Sequence, residues 1–313
     1  MKRAIICIAL LSILALSACS AIIGNNHSLI TDQPSENMEK NSIAWEKHGH
    51  QALESSSFLQ YSLSANEGMT IELPEIGLEN LVVRRKVSGS TTESMKHYLS
   101  TYIISDYRYR ERVWHDSYLA IETGDKILLY DFQNRSLDDF LYLCDVDGDG
   151  IDEIIVQQTV GMSGGAGSYE SFVFKVVEGE IKALFMSSIP NSSDNGSSRF
   201  DTGFSSELKD GFKLEISNRF TGYTTTFDFS AEKKYLGRFF DDSGIVISST
   251  NILCDSFYVF TPEDIDDDGV FELVCVQYVS LDGHANSIGY AKSILKFNPS
   301  SQEFEVIFAE FFL

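Results

Sequence analysis

Two stretches of the chain share one rhythm, and any fold must accommodate both. Asp145-Val146-Asp147-Gly148-Asp149-Gly150-Ile151-Asp152-Glu153 recurs 119 positions later as Asp264-Ile265-Asp266-Asp267-Asp268-Gly269-Val270-Phe271-Glu272. The match runs on past the loops. Over residues 145–168, ten of 24 positions are identical, among them Gln158/Gln277, Val160/Val279, Gly164/Gly283, Ala166/Ala285 and Ser168/Ser287. Duplication of one supersecondary unit is the simplest origin of such a match.

The surroundings of both loops read as strands. Beyond residue 66, short runs of β-branched, aromatic and aliphatic residues alternate with Gly, Asp, Asn and Ser. They include Asn80–Val87, Tyr118–Glu122, Lys126–Phe132, Glu153–Val160, Tyr169–Val177, Phe212–Ser217, Tyr223–Phe229, Glu272–Val279 and Phe304–Phe312. These are strand lengths with turn punctuation. Only Thr91–Ser100, with Glu93 near its start, reads as a short helix. The expectation is an all-β (mainly β) domain over residues 66–313, built of antiparallel blade-like meanders as an irregular β-propeller or paired β-lobes.

In the first loop, 145–153, Asp145, Asp147 and Asp149 hold positions 1, 3 and 5, Gly150 holds position 6 and Glu153 position 9. In the second, 264–272, the same positions are Asp264, Asp266, Asp268, Gly269 and Glu272. Calcium takes six to eight oxygens, and alternating carboxylates on a tightly turning loop converge on one ion. Ile151 and Val270, at position 7, have only a carbonyl to offer. So many carboxylates repel one another without a cation, so the metal is expected to be needed as well as permitted. An EF-hand requires a bidentate acid at position 12. Val156 and Cys275 stand there, inside strand-like runs, which excludes that motif.

The loops resemble the calcium loops of FG-GAP and VCBS-type repeats, found in integrin α-chain propellers and in many secreted bacterial proteins. The resemblance is confined to the two repeat segments. It implies calcium as the cofactor and a blade-like meander opened by each loop. The second copy has Asp267 where the first has Gly148, a residue that tolerates a left-handed backbone.

The N-terminus suggests where such a domain would work. Met1-Lys2-Arg3 precedes an apolar run from Ala4 to Leu16 broken only by Ser12, shorter than the ~20 residues that span a bilayer. The ending Leu16-Ser17-Ala18-Cys19 resembles the lipobox of bacterial lipoproteins. It implies a signal peptide over residues 1–18 and a lipid on Cys19 that tethers the protein to the outer face of the cell membrane. Residues 19–65, rich in Ser, Asn, Gln and Glu, read as a flexible tether. His48 and His50 within it are expected to be solvated.

Loss of residues 1–18 removes Lys2 and Arg3 and takes the net charge from −22 to −24. Such a surface repels nucleic acid and favours cations. Against that field, Arg108, Arg110 and Arg112 would share one face of a strand, a candidate ligand-binding stripe for an anionic group or a pairing partner for neighbouring acids. Cys144, Cys254 and Cys275 lie in apolar surroundings and read as buried small hydrophobes without a disulfide framework. Gly161-Met162-Ser163-Gly164-Gly165 matches the hydrolase nucleophile elbow, but that elbow requires a helix after the serine, and a strand-like run follows. Gln158 and Gln277 sit on apolar strand faces and are expected to make structural hydrogen bonds.

The reading is therefore a calcium-binding extracytoplasmic lipoprotein, a binding or scaffold module rather than an enzyme, whose partners are the membrane and an extracellular protein or glycan. The alternatives are a membrane-anchored hydrolase acting on peptide or polysaccharide, and a calcium-responsive partner subunit.

Overall fold

Sheet formation follows the alternation of apolar residues closely, because almost every strand hides at least one face. The computed structural model describes residues 65–73, 78–91, 93–97, 100–106, 115–123, 127–161, 168–187, 200–232, 238–249, 252–281 and 286–313. All of them belong to the unit His50–Leu313. The fold is all-β, and the described strands form four antiparallel sheets, each a meander in chain order. The first holds β1 (Thr70–Leu73), β2 (Leu78–Ser88), β3 (Ser100–Asp106), β4 (His115–Glu122) and β5 (Ile127–Ser136). The second holds β6 (Asp139–Cys144), β7 (Glu153–Gly161), β8 (Ser168–Val177) and β9 (Glu180–Met186). The third holds β10 (Phe204–Lys209), β11 (Lys213–Asn218) and β12 (Thr224–Asp228), and the fourth β13 (Ile252–Glu263), β14 (Glu272–Leu281), β15 (Ser287–Asn298) and β16 (Glu303–Phe312).

The second sheet is covered on both sides. On β7, Ile154 and Val156 join Phe172 and Phe174 of β8 against Leu119, Ile121 and Phe132 of the first sheet. The intervening Ile155 joins Val173 against Phe260, Leu273, Cys275 and Leu295 of the fourth. An unbroken run such as Ile154-Ile155-Val156 is what a strand hidden on both faces requires. The fourth sheet uses one face twice along its length. Leu273 and Cys275 of β14 meet the second sheet, while Val279 and Leu281 meet Leu214 and Ile216 of the third.

The shared cores therefore run first to second, second to fourth and fourth to third. In a propeller with blades in chain order, the second sheet would pack on the third. Here the described residues form the paired-lobe arrangement, with the first and second sheets in one lobe, the third and fourth in the other, and the seam between the second and fourth.

Two local expectations need correction. The helix near Thr91–Ser100 is a single turn, α1 (Ser94–His97), begun by a hydrogen bond from Ser94 N to Thr91 Oγ1 at 2.9 Å, and Ser100 already belongs to β3. The acidic loops do not open their meanders. Each lies between the first and second strands, because Phe140–Leu143 and Phe257–Phe260 form strands ahead of it.

Candidate metal centres

The first loop joins β6 to β7 and the second joins β13 to β14, and each is wound by its own carboxylates. Asp145 accepts hydrogen bonds from Gly148 N at 2.7 Å and Gly150 N at 2.8 Å, one on each oxygen. Asp264 accepts from Asp268 N at 3.0 Å and Gly269 N at 3.1 Å. Asp149 and Asp268 accept from the position-7 amides of Ile151 and Val270 at 2.9 and 2.8 Å. Glu153 and Glu272 reach back to the position-2 amides of Val146 and Ile265 at 2.9 and 3.2 Å. The turn at position 4 is left-handed in both copies, with φ of 79° at Gly148 and 58° at Asp267. Glycine adopts that conformation freely and aspartate is among the few residues that tolerate it.

This winding draws the aspartates together. Asp145, Asp147 and Asp149 each present a carboxylate oxygen, all within 4.8 Å of one another, and Asp264, Asp266 and Asp268 do the same. Oxygens that share one calcium at ~2.3–2.6 Å must lie within roughly twice that distance of each other, so the spacing fits. Glu153 is fully buried, and its Oε1 faces a lysine ammonium at 3.2 Å. Burial, aided by the Asp147 charge, pushes its carboxyl up to about 7 against the pull of Val146 N and that lysine. For Asp149, burial works upward but is outweighed by that lysine and by Ile151 N, which hold its carboxyl below the usual range.

That lysine is absent from the sequence reading and corrects one of its inferences. Lys175 on β8 ion-pairs with Asp147, with Asp149 at 2.8 Å and with Glu153 Oε1 at 3.2 Å. Lys296 on β15 pairs with Glu272 at 2.6 Å, Asp266 at 3.3 Å and Asp268 at 3.6 Å. The crowded carboxylates thus have a cation from the chain itself, and their mutual repulsion does not by itself demand a metal. Hairpin register was the available signal. Ile154 pairs with Phe174 and Leu273 with Leu295, so the next pair in each hairpin sets the position-9 glutamate across from the lysine.

The loops also hold the architecture together. Phe271 N, at position 8 of the second loop, donates to the Asp145 carbonyl at 2.8 Å across the seam. Asp152, at position 8 of the first, is buried and accepts from Ser90 N at 2.9 Å and from the Ser90 hydroxyl, while its own N donates to Ser94 Oγ at 2.9 Å. These contacts to the β2–β3 connection are not legible in the repeat, since the second copy has Phe271 at that place.

The two glutamines make the expected hydrogen bonds, although the buried Oε1 of Gln158 has no hydrogen-bond partner among the described residues. Gln158 Nε2 donates to Ser117 Oγ and Asp139 Oδ1, both at 2.8 Å. Gln277 donates to the Asp255 carbonyl at 2.7 Å and accepts from Thr202 at 2.6 Å. Gln157, not singled out from sequence, donates to the Phe257 carbonyl at 2.7 Å and so ties β7 to β13 across the seam. Cys144 and Cys275 are core residues, and burial pushes the Cys275 thiol well up. Cys19, His48, His50, the Arg108, Arg110 and Arg112 stripe, and Ser163 lie outside the described residues.

A family model described as the YybI C-terminal domain matches residues 202–311. That stretch spans the third and fourth sheets and contains the second loop but not the first. A Bacillus subtilis (strain 168) protein described as "Uncharacterized protein YybI" is 25% identical over 166 residues, covering 53% of this chain and 60% of that relative. The matched part thus spans less than two thirds of the relative's length. No solved structure matches the chain.

Proposed function

We propose that this chain is a calcium-binding extracytoplasmic lipoprotein, anchored through lipid on Cys19 to the outer face of a bacterial membrane, that acts as a binding or scaffold module for an extracellular protein or glycan. The observation that carries the reading is the recurrence of one loop geometry in both lobes, with three aspartate oxygens in each gathered to the spacing one ion requires. Calcium would be held in the first lobe by Asp145, Asp147, Asp149 and Glu153 with the Ile151 carbonyl, and in the second by Asp264, Asp266, Asp268 and Glu272 with the Val270 carbonyl. When bound, it would cross-link each loop by charge. The chain's own residues do the remaining work. The position-1 aspartates set the loop curvature, and the Phe271 amide on the Asp145 carbonyl couples one loop to the other across the seam.

Calorimetric titration of the full-length chain in detergent tests this reading. Calcium is expected to bind at two sites, with Asp147→Ala and Asp266→Ala each removing one, and magnesium to substitute poorly because it demands a smaller octahedral shell. Bound calcium at 100 times its Kd would stabilise the fold by about 2.7 kcal/mol per site. Absence of binding up to roughly 10 mM, beyond the weakest extracellular modules, would sink the proposal.

A further inference from the structure

The carboxylates of both loops are already engaged by an ammonium group. Lys175 stands directly beyond the Ile154–Phe174 pair and Lys296 directly beyond the Leu273–Leu295 pair, so each faces the position-9 glutamate from the third strand of its own sheet. The two lysines do not follow the spacing of the loops. Leu273 lies 119 positions after Ile154, whereas Leu295 lies 121 after Phe174, so the second hairpin is two residues longer. The lysine nevertheless meets the same three acids, at positions 3, 5 and 9, in both lobes.

We propose that Lys175 and Lys296 are resident counter-ions which a divalent cation must displace, so that each loop is an ammonium-for-metal exchange site whose affinity the lysine sets. The proposal rests on the calcium reading and deepens it. Calcium seeks oxygens at ~2.3–2.6 Å, and it cannot share the oxygens of Asp147, Asp149 and Glu153 with an ammonium that touches all three, since the two cations would repel at contact distance. Before the ion enters, the ammonium keeps the loop wound. After it enters, the four-carbon stem of lysine lets the charged end swing towards water. The first site holds its lysine more tightly, with 13% of the Lys175 side chain exposed against 33% of Lys296. Exchange is therefore harder in the first lobe, and calcium should fill the second loop first.

Lys175→Met and Lys296→Met in the full-length chain test this by calcium titration and by melting in chelator. Lys175→Met is expected to tighten calcium binding at the first loop by at least about tenfold, equivalent to 1.4 kcal/mol, and Lys296→Met to tighten the second loop by less. In chelator Lys175→Met should melt below the wild type, and calcium should restore it. Lys296, being more exposed, gives a variant that remains measurable should Lys175→Met fail to fold. Unchanged calcium affinity in both variants, with the wild type binding, overturns the exchange and leaves the calcium reading standing. Binding by the variants alone upholds the lysines as built-in replacements for the metal and overturns calcium binding by the natural chain. Binding by none of the proteins removes both.

Discussion

Replacing Asp145 with alanine separates what the loop does for itself from what a metal adds. Its two oxygens accept the Gly148 and Gly150 amides at 2.7 and 2.8 Å, and no other side chain in the loop accepts either of those donors among the hydrogen bonds described. A hydrogen bond to a charged group contributes about 1.5–3 kcal/mol, and since both glycines are exposed, water takes over part of each, placing the pair near 2–3 kcal/mol. For a unit of this size that corresponds to a fall in melting temperature of roughly 4–12 °C. Asp145→Asn keeps one acceptor oxygen and should lose about half as much. Asp264→Ala should cost less than Asp145→Ala, because its bonds to Asp268 N and Gly269 N are longer, at 3.0 and 3.1 Å. Urea unfolding in chelator measures these differences with no metal contribution, and calcium should not rescue a variant that has lost a ligand. If Asp145→Ala unfolded within about 0.5 kcal/mol of the wild type in chelator, the carboxylate would not be winding the loop.

Gly289 lies in β15 with φ of 144°, and a Cβ there would stand 2.3 Å from the Phe312 carbonyl oxygen and 2.8 Å from the Phe311 ring, so Gly289→Ala should cost about 3 kcal/mol or more. A melt within about 2 °C of the wild type would contradict the β15–β16 register. Asp139 is buried with its carboxyl held above the usual range chiefly by that burial, against hydrogen bonds from Gln158 and Ser136, and its Oδ2 has no hydrogen-bond partner. Its contribution to stability is full below the unfolded value, near 3.9, and is lost as pH rises through the higher folded value. Asp139→Asn should therefore gain stability relative to the wild type between acid and neutral pH, and an equal difference in urea midpoints at both pH values would refute it. Cys19→Ser should abolish incorporation of a fatty-acid analogue; label retained by the variant would remove the anchor from that residue.

How much of this was legible in the sequence depends on the range of the interaction. The loops could be read because their hydrogen bonds close within nine residues: the position-1 aspartate meets amides three to five residues on, and the position-9 glutamate returns to position 2. The all-β class could be read because strand alternation is local, whereas the covering of β7 on both faces emerged only from the packed sheets. Lys175 and Lys296 could not be read from a fixed repeat offset, since hairpins of unequal length carry them to their glutamates, and pairing register depends on where the turn closes. Nor could the order of the sheets. Each sheet has an apolar face to bury, but the hydrophobic effect has no direction, so the identity of the covering face is decided by side-chain fit and by links such as Gln157 to the Phe257 carbonyl and Phe271 N to the Asp145 carbonyl. Local sequence determined the loops and the strands; the tertiary structure decided the hairpin registers that put a lysine onto each loop, and that the fourth sheet lies on the second, bringing the two loops together at one seam.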